Sequence, residues 1–253
     1  MRRESRLWYS SALGHDVELL LYGHGGQALV CFPSQDGRAA DWQAFGMVDA
    51  VADLLEAGRL TVIAVDGVDW QSWTNRGAPA AERARRHEDY HRYITEDVVP
   101  FAQAESGRQS VWATGCSMGA FHAANVFFRR PDLFDGLLAM SGLYQPRLFV
   151  GDYNDDSVYF NSPLYYLPNL ADEWHLGLYR RGRIIFCAGQ GAWEDESLGD
   201  MRQMQRILEG KGVPATFDYW GHDVEHHWYW WQKMLRHHLQ LLWQQPVQPV
   251  AGG

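Results

Sequence analysis

Ser117 stands between two glycines in the run Gly115-Cys116-Ser117-Met118-Gly119. A serine hydroxyl is a weak nucleophile until it is held clear of its own chain and its proton is taken. The context of this run provides the first condition. Val111-Trp112-Ala113-Thr114 before it reads as a strand, and Ala120-Phe121-His122-Ala123-Ala124 after it reads as a helix. Ser117 therefore falls at the apex of a sharp strand-to-helix turn, where flanking glycines remove the side chains that would collide. The departing helix directs unpaired N–H groups and the positive end of its dipole at the point where an oxyanion would form. The chemistry indicated is acyl transfer through Ser117. Cys116, the other nucleophile of the run, precedes the apex and is expected to point away.

The second condition is a base, with an acid to orient it. In enzymes built around such a turn the chain order is nucleophile, acid, histidine, which puts a candidate acid after a late strand and the histidine near the C-terminus. The strand at 184–188 leads into Gly189-Gln190-Gly191-Ala192-Trp193-Glu194-Asp195-Glu196. Three carboxylates compete there. Asp195 is the first choice, and Glu194 and Glu196 would suit the start of a helix, where the dipole favours acids. The strand ending at Tyr219 leads into a segment holding His222, His226 and His227. His226 lies two residues before Trp228 and five before Trp231, whose packing would hold it still. His222 follows Gly221 and has no such anchor. A metal set of His222, Asp223 and His226 is the competing reading. Its histidines fall in a turn, and the glutamate of a His-Glu-x-x-His helix is missing, so neither metal nor cofactor is expected.

The elements that must position these groups follow from hydrophobic periodicity. Apolar runs at 17–22 and 28–32, separated by Gly23-His24-Gly25-Gly26, read as a hairpin. After a helix at 42–55, strands alternate with helices from residue 60: strands at 60–65, 110–114, 136–140, 183–188 and 215–219, helices at 82–104, 120–129, 198–211 and 228–243. Pro100 is expected to kink or divide the second helix. The aromatic segment 143–178 is expected to be irregular and to cover a site. The alternation implies an α/β fold: a mostly parallel central sheet, helices on both faces, and an antiparallel N-terminal edge. One domain over 1–244 and a flexible tail over 245–253 account for the chain.

Composition narrows the partners. The chain has 253 residues, 46% of them hydrophobic, enough for a sizeable core. Its net charge of −9 argues against nucleic acid and against an anionic membrane surface. The three cysteines, Cys31, Cys116 and Cys187, show no paired spacing, which argues against a disulfide framework and, with no apolar leader or membrane-length run, for a cytoplasmic protein. A small-molecule ester is the partner expected, and a homo-oligomer is left open.

Taken together these residues resemble the putative-esterase group of α/β-hydrolases, which includes esterase D, the enterochelin esterases and the antigen 85 mycolyltransferases. The resemblance covers nearly the whole chain. It is carried by Gly115-Cys116-Ser117-Met118-Gly119-Ala120, Ser141-Gly142, the Gly189 loop and His226-His227-Trp228-Tyr229-Trp230-Trp231. The group's His-x-Trp-x-x-Trp pattern fits His226 and does not fit His222, where Val224 replaces the first tryptophan. Its acid aligns with Asp195 when the Lys211-Gly212-Val213-Pro214 turn is the anchor. The resemblance implies an α/β-hydrolase fold and a serine carboxylic-ester hydrolase with a Ser117–Asp195–His226 triad and an acyl-enzyme. An acyltransferase with the same triad is the alternative, and a metal-dependent hydrolase or an inactive binding module stands behind both. It also implies an oxyanion hole built from the N–H of Met118 and that of Gln35, with Ser34 as the other candidate. Many of the group carry a glycine-rich or His-Gly stretch where this chain has Pro33-Ser34-Gln35-Asp36-Gly37.

Overall fold

The computed structural model describes residues 1–244; the tail expected to be flexible lies outside the described residues. The strands are β1 (Arg3–Ser10), β2 (His15–Gly23), β3 (Gln27–Phe32), β4 (Leu60–Val65), β5 (Val111–Cys116), β6 (Phe134–Met140), β7 (Arg183–Ala188) and β8 (Thr216–Tyr219). They form one sheet in the order β1-β2-β4-β3-β5-β6-β7-β8. From β4 through β8 every neighbour pair is parallel, whereas β1–β2 and β2–β4 are antiparallel. A parallel strand covered on both faces has no polar side to show. Accordingly β4 is buried at every position.

The helices are α1 (Asp41–Ala44), α2 (Ala52–Glu56), α3 (Ala80–Tyr93), α4 (Val99–Ser106), α5 (Met118–Arg129), α6 (Arg147–Val150), α7 (Asp156–Phe160), α8 (Pro163–Tyr166), α9 (Glu173–Arg181), α10 (Asp195–Gly210) and α11 (Trp228–Gln244). Two apolar layers result, one on each face of the sheet. Residues of α3, α4, α5, α9 and α10 fill the first, and residues of α2 and α11 fill the second together with Cys31, Cys116 and Cys187. All three thiols are free and buried. No helix among the described residues is long and apolar enough to cross a membrane.

Two expectations about elements change. The runs at 17–22 and 28–32 are not a hairpin, because β4 lies between β2 and β3. The glycines between them serve that crossing: a Cβ on Gly23, at φ +95°, would stand 2.6 Å from the Leu60 carbonyl oxygen. The hairpin partner of β2 is β1, an edge strand exposed along one face and covered on the other chiefly at Trp8 and Ser10, so that its sequence carries no clean apolar alternation. The segment 42–55 is α1, a 3₁₀ turn (Asp49–Val51) and α2 rather than one helix. The run around Pro100 is divided as expected: a π turn (Ile94–Val98) separates α3 from α4, and Pro100 sits in the first turn of α4, where its missing N–H is accommodated.

Between α3 and α5 the apolar layer encloses histidines. Burial pushes His87 well below its ordinary pKa and His91 down to about 3; burial also pushes His238 on α11 down to about 4. Folded, these rings stay neutral where the unfolded chain takes up protons, below about 6.5. Their contribution to stability is therefore full above that pH and is lost as pH falls. We expect the urea midpoint to drop between pH 7 and pH 5, and the drop to shrink in a His91→Leu variant. A midpoint flat over that interval contradicts the assignment.

Candidate active site

Ser117 joins β5 to α5 with φ 56° and ψ −122°, a conformation that costs energy for any residue with a side chain and persists only where the surroundings impose it. Here the imposition is steric. A Cβ on Gly115 would run into the backbone of Gly119, and one on Gly119 into the carbonyls of Phe32 and Pro33. The elbow is thus pressed against the end of β3, which brings the loop after β3 to Ser117. The Ser117 N–H donates to Met140 O at 2.9 Å and ties the turn to β6.

His226 Nε2 lies 2.9 Å from Ser117 Oγ. In the neutral tautomer that suits a base, Oγ donates to Nε2 and Nδ1 carries the hydrogen toward a carboxylate. That carboxylate belongs to Glu194, whose Oε2 is 3.3 Å from Nδ1. Glu194 is fully buried, and its other oxygen, Oε1, accepts from Ser141 Oγ at 2.6 Å. Ser141 Oγ in turn accepts from Trp231 Nε1 at 3.0 Å. The Trp231 ring also meets His226 edge-on, at 4.9 Å between centroids. One tryptophan of α11 therefore braces the His226 ring directly and the Glu194 carboxylate through a serine.

The expectation of Asp195 as the acid is corrected here. Asp195 is the first residue of α10 and is exposed, as is Glu196. Trp193, at φ 67°, turns the chain so that the next side chain, Glu194, enters the interior and the following two face solvent at the helix start. Of the histidines, His226 meets Ser117. His222 is exposed with Nδ1 3.3 Å from Gln190 O, and the Nδ1 of exposed His227 accepts from the Tyr229 N–H at 3.2 Å. Cys116 faces the second apolar layer, where burial raises its pKa well above the usual value and keeps it a thiol. Ser141 is the polar member that pattern reading left without a role; its only sequence trace is the Ser-Gly pair after β6.

Met118 opens α5, so its N–H has no acceptor within the helix. Gln35 lies in the turn closed by the bond from Gly37 N to Ser34 O, 3.0 Å. Neither N–H donates to a protein acceptor among the described residues, and both residues line the cavity that contains Ser117 and His226. This cavity measures about 160 Å³, with Leu143, Leu148, Phe149 and Trp193 as its apolar walls. A cleft of about 430 Å³ adjoins it, sharing Leu143, Leu148 and Glu196 and adding Gln145, Arg147 and Asp200. The segment 143–178, expected to be irregular, supplies these walls as short helices rather than as a structureless cover. A further cavity of about 400 Å³ lies at the other end of α5, beside Phe128 and Arg129, away from the nucleophile.

A strained serine at the carboxyl edge of a mainly parallel sheet, with a histidine after the last strand and a carboxylate after the one before, defines the α/β-hydrolases. Residues 10–242 match the family described as Putative esterase, and the chain belongs to that family: it is a serine carboxylic-ester hydrolase. No curated protein sequence matches the chain. Solved structures share the fold. A ferulic acid esterase is 18% identical, with a TM-score of 0.75 over 95% of this chain and 96% of that one. An S-formylglutathione hydrolase from Agrobacterium tumefaciens is 13% identical, with a TM-score of 0.73 over 94% and 93%. MPT51 (FbpC1) of Mycobacterium tuberculosis is 17% identical, with a TM-score of 0.70 over 94% and 96%.

Proposed function

We propose that Ser117, His226 and Glu194 form the catalytic triad of an esterase acting on small-molecule esters through an acyl-enzyme. The observation that carries this reading is the unbroken line of polar contacts from Ser117 Oγ through His226 to buried Glu194. His226 Nε2 takes the hydroxyl proton as Oγ attacks the ester carbonyl. Glu194 holds the imidazole in the tautomer that leaves Nε2 free and stabilises the imidazolium that results. The N–H groups of Met118 and Gln35 receive the oxyanion. His226 returns the proton to the leaving alcohol, and the acyl group remains on Ser117. Water, deprotonated by His226, then releases the acid and regenerates the serine.

The dimensions of the site bear on the substrate. An apolar cavity of about 150 Å³ accommodates benzene, so a space of about 160 Å³ beside Ser117 suits a short or single-ring acyl group. The adjoining cleft, to which Gln145, Arg147 and Asp200 add polar groups, suits the alcohol. Three buried free thiols fit a reducing compartment such as the cytoplasm.

A series of p-nitrophenyl esters from acetate to laurate, with the benzoate, tests this reading. We expect kcat/KM to be highest for acetate to butyrate or benzoate and to fall by at least ~10-fold by octanoate, since the extra methylenes outgrow a space of about 160 Å³. Turnover should survive dialysis against EDTA. A laurate optimum overturns the assignment of the acyl site. Transfer to added glycerol outpacing release of free acid would point to an acyltransferase.

A further inference from the structure

The turn that carries Gln35 is held in an unusual form, and a buried pair outside the triad holds it. Asp36 occupies the third position of the turn Ser34–Gly37 with φ +55°. That is the type II arrangement, which ordinarily calls for glycine there. Asp36 is kept in it by two bonds from elsewhere in the chain. Its N–H donates to Asp69 Oδ2 at 3.2 Å, and its side chain accepts from Thr74 Oγ1 at 2.5 Å. Asp69, after β4, is 1% exposed, and its second oxygen, Oδ1, lies 2.9 Å from Nε2 of His122, also 1% exposed. His122 stands on the second turn of α5, five residues beyond Ser117. The Tyr90 ring packs on it edge-on, at 5.2 Å between centroids.

The Asp69 carboxylate thus accepts from two donors, one on the loop after β3 and one on the nucleophile's own helix. Turning over the Gln35–Asp36 peptide, which converts type II to type I, would replace the Asp36 N–H by the Gln35 carbonyl and oppose two oxygens. The carboxylate therefore fixes the peptide on the C-terminal side of Gln35, and through the Gln35 Cα that the two peptides share it restrains the preceding one, which carries the Gln35 N–H. The geometry points to Asp69 and His122 as positioning residues of the oxyanion hole, referring the Gln35 and Met118 donors to one buried contact. This inference rests on the proposed assignment of those two N–H groups.

The test is Asp69→Asn. An amide of the same shape offers one acceptor and turns an NH₂ toward one of the two donors. Loss of a whole oxyanion donor costs ~10²–10³-fold in kcat, and misplacing one costs less. We expect kcat on p-nitrophenyl acetate to fall ~10–10²-fold with KM within ~3-fold, and affinity for a trifluoromethyl ketone that forms the oxyanion adduct to fall as kcat/KM does. His122→Phe, which keeps a ring against Tyr90 and removes the donor, should show the same split at a smaller size. It serves as the reading if Asp69→Asn does not fold. A folded variant with unchanged kcat, or with a loss confined to KM, overturns the inference while wild-type turnover that vanishes in Ser117→Ala keeps the triad standing. Wild-type turnover that persists in Ser117→Ala overturns both.

Discussion

Ser117→Ala is expected to lose at least ~10³-fold in kcat while remaining folded, because the attacking atom is removed and only the oxyanion donors and substrate binding remain. Folding should survive. Ser117 Oγ makes one contact, to a half-buried histidine at the cavity wall, so its loss strands no buried partner. The strain at φ 56° is retained because Gly115 and Gly119 impose it from either side. Cys116→Ala should keep most of the activity, since that thiol faces the core. The check is steady-state kinetics on p-nitrophenyl acetate with circular dichroism on the same samples. Cys116→Ala losing as much as Ser117→Ala contradicts the assignment.

Glu194→Gln should cost ~10²–10⁴-fold in kcat, whereas Asp195→Asn should stay within ~3-fold of wild type and Glu196→Gln, at a residue lining the cavity and the cleft, should change KM more than kcat. Two effects combine in Glu194→Gln. An amide in place of the carboxylate can present its NH₂ to His226 Nδ1 and favour the tautomer that places the hydrogen on Nε2, facing Ser117 Oγ. It also leaves the imidazolium of the transition state without its counter-charge. The bond from Ser141 to Glu194 Oε1 should hold the side chain in place, so the defect should appear in kcat more than in KM. Asp195 and Glu196 both lie in the exposed first turn of α10; at Asp195 a neutral substitute removes only a dipole interaction, and at Glu196 it also alters the lining of the cavity. Kinetics of the three variants side by side decide among the carboxylates. A severe loss in Asp195→Asn with Glu194→Gln active would contradict the geometry.

The difference between those two acids shows what the sequence could and could not tell. The elbow was legible because its chemistry demands particular residues at particular offsets: glycine where a Cβ cannot fit, and serine between them. His226 was legible because Trp228 and Trp231 mark the packing that must brace it. Glu194, Asp195 and Glu196 are consecutive carboxylates at the start of a helix, and no periodicity separates the one that turns inward. That choice is made by the backbone of Trp193, at φ 67°, which residue type does not announce. Ser141 was hidden for a related reason, since its partners Glu194 and Trp231 lie 53 and 90 residues away in the chain. In the sheet, strands buried on both faces were read almost to their ends, 60–65 and 183–188 among them. The exposed β1 and the true neighbour of β2 were missed, because strand order is set by how layers pack and not by which strands follow one another.

The claim on which the rest depends is that Ser117, activated by His226, is the nucleophile. It is tested most directly by treating the folded protein with a fluorophosphonate, then measuring intact mass and mapping the modified peptide. We predict one adduct per chain, on Ser117, formed much more slowly in His226→Gln and Glu194→Gln and absent from Ser117→Ala. An adduct on another residue, or labelling of Ser117→Ala at the wild-type rate, would contradict it.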